Sequence, residues 1–389
     1  MMINKKRPTS AGRVCPLLVA LSLAVAFVGG CGGGSSSAPP SPHPEVLYAT
    51  GFNQILSLKV NSSTGGLSAA MVTSGPDTTL GITATMAADP AGKFLFVYDT
   101  QGSAIDVFSI SANTSALTPV SGSPFPAGGL GSFGGLAINS SGKFLYVVGI
   151  FGIDAFTVNS ASGALTLVSG SPFADNNGPF GVVVAPPGKF LYTSDIGNPQ
   201  ATISGFSINS STGALAPVPG SPFSTGTNGF PFDMAAHPSG KFLYAGIPAT
   251  NTVEAWSIDS TTGTLTTVPG SPFAVGIGGS SFFSSVAVDP LGKFLYVSDD
   301  LGDIFGFAIN SSSGALTAIG GSPFSFLAIT DQMFIDPSGQ YLYAPAGPFI
   351  TGIHVDTTTG ALTLLSGSPF SAGTTLTIPA TLSFVKVSQ

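Results

Sequence analysis

From Glu45 onward, apolar residues come in short runs separated by Gly, Pro, Asn, Ser and Thr. Runs of that length bounded by turn residues predict β-strands, and no stretch of helical length carries a 3.6-residue apolar period. The runs repeat. The string GKFLY stands at Gly142–Tyr146, Gly188–Tyr192, Gly240–Tyr244 and Gly292–Tyr296. Aligned on its LY or LF pair, the chain places leucine at 47, 95, 145, 191, 243, 295 and 342, in steps of 46 to 52 residues. A second marker of the type TGAL ends at Leu67, Leu117, Leu165, Leu215, Leu265, Leu316 and Leu362. A third, GSPF, begins at Gly122, Gly170, Gly220, Gly270, Gly321 and Gly367. The chain therefore holds seven units.

The unit from Phe232 divides into FDMAAHP, KFLYAGIP, TVEAWSID and GTLTTVPG, with a turn or loop between each pair. Alternation in TVEAWSID predicts a half-buried third strand that bends near Trp256. DSTTG supplies a side-chain acceptor at its start and a glycine for positive φ at its end. Four strands in 40–50 residues predict a blade, and seven blades predict an all-β, seven-bladed propeller of antiparallel sheets. A β-helix would repeat at shorter intervals. The fold enters at EVLYATG, a second strand, and leaves at PATLSFVKV, a first strand. One blade shared between the two ends would close the ring and leave no long free edge. GKFLY is then the turn and second strand of each blade. Trp256 and its counterparts Phe108, Phe156, Phe206, Phe307 and Ile353 are core.

The run P-x-G-K-F-L-Y, then N-S-x-T-G-x-L, then G-S-P-F, resembles the seven-bladed lactonase-type propellers, which include 6-phosphogluconolactonase-like and YVTN-repeat proteins. The resemblance covers Glu45 to Gln389. It implies a propeller fold and leaves open a lactonase-like activity, because the markers are turns and strands, which do not carry chemistry.

Ahead of the repeats, Lys5, Lys6, Arg7 and Arg13 precede the apolar run Pro16–Val28, as in a secretory signal. VGGC at Val28–Cys31 looks like a lipoprotein cleavage box, so residues 1–30 are expected to be a signal peptide and Cys31 the lipidated residue. Residues 31–44, rich in Gly, Ser and Pro, read as a tether, and 45–389 as the propeller. With Gly32 after the cysteine, an outer-membrane or cell-surface location is expected. The expected partners are the membrane, through that anchor, and a protein or glycan ligand, with the chain itself a monomer.

Removal of the leader takes both arginines with it and leaves seven lysines against eighteen acids, a net charge of −11. Nucleic acid is excluded as a partner, since phosphate neutralisation needs clustered Lys or Arg. Cys15 leaves with the leader, so no disulfide supports the fold. No Gly-rich nucleotide loop or haem ligand pair is present.

The loops that should ring one mouth of the channel collect Asp99, Asp175, Asp195, Asp233, Asp299, Asp300, Asp303 and Asp331. An acidic mouth could bind a polyhydroxylated ligand, or Ca²⁺ through Asp299, Asp300 and Asp303. DDLGD is not an EF-hand loop, and Asp in Gly-rich turns is also common for structural reasons. His43 lies in the tether, His237 takes the turn position of Asp89, Asp289 and Asp336, and His354 is on the exposed side of a third strand. No Ser–His–acid set assembles. Five of the seven lysines are repeat-turn residues, leaving no basic cluster for a sugar phosphate. Two readings follow: a tethered binding or scaffolding propeller, and a hydrolase in which a mouth carboxylate acts as general base on water.

Overall fold

The computed structural model describes residues 45–51, 54–74, 85–99, 103–128, 134–149, 152–197, 201–226, 229–276, 283–326, 332–372 and 382–386. The expected signal peptide, Cys31, His43 and Asp331 lie outside them. Seven antiparallel sheets form, six of them from strands consecutive in the chain. Blade one is the shared one: the closing strand Leu382–Lys386 pairs with Glu45–Gly51, which pairs with Gln54–Val60 and then Leu67–Ser74. Blades two to seven have their second strands at Phe94–Asp99, Phe144–Gly149, Phe190–Asp195, Phe242–Ile247, Phe294–Asp299 and Tyr341–Ala346. Innermost strands touch in sequence from the closing strand through Thr85–Ala88, Leu136–Ile138, Pro179–Ala185, Asp233–Ala236, Phe283–Val288 and Phe334–Ile335, and back to the closing strand. The ring is complete.

Each interface between neighbouring blades holds one hydrophobic cluster, seven in all. Second strands alternate between the two clusters beside them: Phe144, Tyr146 and Val148 face blade four, while Leu145 and Val147 face blade two. This corrects the expectation of a half-buried third strand. In Thr252–Ile258, Val253, Glu254, Ala255 and Trp256 are all buried, because a sheet between two blades has no solvent face.

GKFLY has a further role. Its tyrosine reaches across to the next blade and donates to a backbone carbonyl of the turn between third and fourth strands. The pairs are Tyr48–Ser115, Tyr146–Gly213, Tyr192–Gly263, Tyr244–Gly314, Tyr296–Gly360 and Tyr343–Gly65. The phenylalanine packs beneath that glycine so closely that a Cβ on Gly213 would lie 2.4 Å from Phe144 Cδ1. Lys143 Nζ donates to Ser211 O of the same turn, at 3.0 Å. GSPF also contributes more than a turn. In blades two and four to seven its Phe begins a two-residue strand that pairs with the third strand, and its Ser Oγ accepts a third-strand N–H, as Ser221 does from Gly205.

Candidate functional site

The start of each inner strand pairs with the end of the second strand, as in Pro179 with Asp195, Asp233 with Gly246 and Phe283 with Asp299. The loops entering inner strands and those joining second to third strands therefore share one end of the ring. Asp99, Asp175, Asp195, Asp233, Asp299, Asp300 and Asp303 all lie at that end, as their loop positions predict. They are spread over several blades, and most turn inward.

Asp299 is buried, and its Oδ1 accepts from the backbone N–H groups of Leu301 (3.0 Å) and Asp303 (2.8 Å). It shapes its own turn. Asp303 accepts from Ser325 Oγ, and Asp300 is exposed. Among the described residues no group of three or more His, Cys, Asp or Glu could hold a metal ion, so the geometry gives no support to Ca²⁺ at Asp299, Asp300 and Asp303. Asp233 Oδ2 accepts from Val286 N (2.8 Å) and Ser285 Oγ (3.0 Å), and Ser285 Oγ accepts from Met333 N. That chain ties blades five, six and seven together around the channel. Burial pushes the Asp233 carboxyl up, against the pull of those donors. Asp99 is buried.

One pair does converge. Asp175, from the loop leaving blade three, meets Asp195, the last residue of a blade-four second strand. Thr193 Oγ1 lies 2.7 Å from Asp175 Oδ2 and 3.1 Å from Asp195 Oδ1. Asp195 Oδ2 accepts from Ser204 Oγ at 2.7 Å and Thr202 Oγ1 at 2.8 Å. Asp175 Oδ1 faces Asn177 N (3.3 Å), Asn177 Nδ2 (3.4 Å) and Ser204 Oγ (3.4 Å). Burial first, and the Asp175 charge second, push the Asp195 carboxyl up to about 7, although its hydroxyl donors pull it down.

Sequence reasoning missed a second set of acids at one third-strand position: Asp106, Asp154 and Glu254, all buried. Asp154 Oδ2 accepts from Gly128 N at 2.6 Å and Glu254 Oε2 from Gly226 N at 3.2 Å, each pinning the loop of the preceding blade. Asp154 Oδ1 and Tyr98 Oη are buried without a protein partner. Burial, then the charges of Asp154 and Asp99, push the Tyr98 phenol up to about 12. The signal available was a repeated position that reads Asp106, Asp154, Ser204, Glu254 and Thr351 where a core strand should be apolar. The two described histidines have no such role. His237 is a buried turn residue whose Nε2 is 2.9 Å from Gly292 O of the next blade, and His354 is exposed against Tyr341.

Among the described residues the mouth end also exposes large apolar side chains. Ile196, Phe230, Phe232, Leu301 and Phe349 are exposed and belong to its loops or their edges, with Leu301 at 66% the most open. Phe232 packs against Phe180, ring centroids 5.5 Å apart. Ile196 N donates to Gly178 O, so Ile196 is held by the loop that carries Asp175.

These features define a seven-bladed β-propeller with inward-turned mouth carboxylates and an apolar rim. Residues 136–276 match the family model described as lactonase, 7-bladed β-propeller, the group the repeat markers resemble. A comparison with curated proteins found no match. Among solved structures, a candidate 6-phosphogluconolactonase from Bacteroides fragilis is 19% identical, with TM-score 0.70, covering 90% of this chain and 100% of its own. A candidate 6-phosphogluconolactonase from Bacteroides uniformis is also 19% identical, with TM-score 0.68 over 88% of this chain and 100% of its own. A periplasmic gluconolactonase from Pseudomonas aeruginosa is 16% identical, with TM-score 0.68 over 88% of this chain and 99% of its own. At these identities the likeness is one of fold.

Proposed function

We propose that this chain is a lipid-anchored, extracytoplasmic propeller that works as a binding module, presenting its mouth rim to a protein or glycan ligand. One observation carries the reading: at the mouth most carboxylates are folded inward as structural acceptors, while Ile196, Phe230, Phe232, Leu301 and Phe349 face outward. Exposed aromatic and aliphatic groups on a rigid ring suit an apolar or sugar-ring face better than a phosphate or a metal ion. The anchor rests on VGGC ending at Cys31 and the basic, apolar leader before it. The test is thermal unfolding against glycans, sugar lactones and divalent cations, for the native protein and for Phe230→Ser with Phe232→Ser. A ligand at a hundredfold excess over its dissociation constant adds about 2.7 kcal/mol to stability. A glycan-dependent rise in midpoint that the double variant loses supports the rim. A ligand response that the double variant keeps would place binding elsewhere.

A second reading has its own support: the Asp175–Asp195 pair, in a chain whose residues 136–276 match the lactonase model. A carboxyl raised to about 7 suits general-base catalysis near neutral pH. In that reading Asp195 takes a proton from the water that attacks a lactone carbonyl and returns it to the ring oxygen as the acyl carbon–oxygen bond breaks, and the loop over it must open to admit both. Lactone hydrolysis abolished by Asp195→Ala, but unchanged by the rim variant, would establish this reading in place of the first.

A further inference from the structure

The hydrogen count between Asp175 and Asp195 does not balance if both are ionised. Each carboxylate oxygen is an acceptor only. Thr202 spends its hydroxyl hydrogen on Asp195 Oδ2 at 2.8 Å, and Ser204 spends its own there at 2.7 Å in preference to its long 3.4 Å approach to Asp175 Oδ1. Thr193 has one hydroxyl hydrogen, yet it stands 2.7 Å from Asp175 Oδ2 and 3.1 Å from Asp195 Oδ1. One of those two contacts would then set acceptor against acceptor, in a place where Asp175, Asp195, Thr193 and Ser204 are all buried. A single added proton resolves it.

We infer that Asp195 is protonated in the folded protein and donates from Oδ1 to Thr193 Oγ1, whose own hydrogen passes to Asp175 Oδ2, so that one proton latches the loop Asp175–Gly178 to blade four. The assignment to Asp195 follows from the distances and the burial. Thr193 is closer to Asp175, and Asp195 is the more deeply buried at 0% against 3% exposure. The Asp175 charge is also met by the Asn177 backbone N–H, while Asp195 has only hydroxyl partners. No other titratable group faces the pair among the described residues. Strand Thr202–Ile208 and inner strand Pro179–Ala185 carry none. From blade three, Val148 and Ile153 face this interface, Tyr146 is spent on Gly213 O, and Asp154 points to the opposite interface, where it holds Gly128.

The latch joins the proton to the mouth. Gly178 O and Asn177 O accept from Ile196 N and Gly197 N, so the loop held by the pair also holds the exposed Ile196. Loss of the proton puts two negative charges on facing buried oxygens and loosens that side of the rim. Its effect on ligand binding rests on the rim reading above; the shared proton itself does not.

The sign follows from the folded state binding the extra proton. Stability conferred by the latch is complete below the pKa of an unfolded Asp and is lost as pH rises toward neutrality. One proton changes the folding constant by up to about tenfold per pH unit across that window. Asn at 195 imitates the protonated acid, its amide donating to Thr193 and its carbonyl accepting from Ser204 and Thr202. Asn at 175 would aim an amide hydrogen at a donor whichever way it turned. Thermal unfolding of the full chain from pH 5 to pH 8.5 should therefore show three behaviours. The native midpoint falls with pH. Asp195→Asn exceeds it by a margin that is small at pH 5 and grows toward pH 8, and removes this part of the slope. Asp175→Asn lowers the midpoint at every pH. Parallel profiles for the native protein and Asp195→Asn, or the reverse order of the two variants, would overturn the assignment. Infrared titration of the native protein gives a reading independent of how the variants fold: a protonated-carboxyl stretch must persist well above the pH at which exposed Asp ionises, and its absence there would overturn the shared proton itself.

Discussion

At the scale of single residues, the lock between a tyrosine, a phenylalanine and a glycine explains what repeats and what is allowed to vary. Gly213 has φ near 78° and no room for a side chain above Phe144. Gly263, Gly314 and Gly360 repeat the arrangement over Phe190, Phe242 and Phe294. Blade two departs from it: the turn there has Ser115, still at φ 62°, and still takes the Tyr48 hydroxyl on its carbonyl. The residue at the phenylalanine position of blade one is Val46, a buried side chain smaller than the phenylalanine found under the glycines. Two substitutions test this. Gly213→Ala should cost about 2 kcal/mol or more, from strain at positive φ plus overpacking, seen as a lower unfolding midpoint. Val46→Phe should destabilise alone and recover in part when paired with Ser115→Gly, because the two then rebuild the common lock. Additive costs in that double-mutant cycle would refute the coupling.

At the scale of elements, turns and strands were legible because each is specified by residues close in sequence. Asp89, Asn139, Asp289 and Asp336 each accept backbone N–H groups four and five residues on or, for Asp336, five on; any one could be read from its own unit. The mouth was less legible. Whether an Asp at the end of a second strand points to solvent or to a neighbouring blade depends on what that blade presents. Asp195 turns into its interface because Asp175 arrives from another unit and Thr193 stands where Val97, Val147, Ala245 and Val297 are apolar. That polar exception was visible in the sequence, but only once the neighbouring blade was known to face it did it acquire meaning. The GSPF serine is likewise a tertiary feature written locally. Ser221→Ala leaves the Gly205 N–H without its acceptor in a part-buried strand, and should lower stability by about 1–2 kcal/mol. Ser257→Ala, on an exposed hydroxyl that merely returns to Thr266 O, should stay within about 0.5 kcal/mol.

At the scale of the whole molecule, no disulfide staples the ring, so closure falls on one strand. Leu382–Lys386 pairs with Glu45–Ala49 in register from Glu45–Lys386 to Ala49–Leu382, and it also meets the inner strands of both neighbouring blades. Tyr343 crosses the same seam to Gly65 at 2.7 Å, and Leu47, Ala49, Leu56 and Leu58 pack there with Tyr343 and Ile350. The seam thus has a side-chain lock of the common kind and a backbone clasp that no other interface needs. Removing residues 382–389 should strip the clasp while leaving the lock. It exposes the full edge of Glu45–Gly51, and an unpaired inner edge invites pairing with another chain. The expected outcome is a protein that still folds its blades but unfolds at a lower midpoint and elutes partly as dimer or larger species. Because the missing strand is short and its pairing is backbone-directed, adding the excised segment as a peptide should restore the monomer. A truncated chain that remained monomeric with an unchanged midpoint would mean that the lock and the core cluster close the ring without the strand. In a ring of repeats each blade leans on two neighbours, so a defect at the seam is felt as lost cooperativity around the circle, not as loss of one blade.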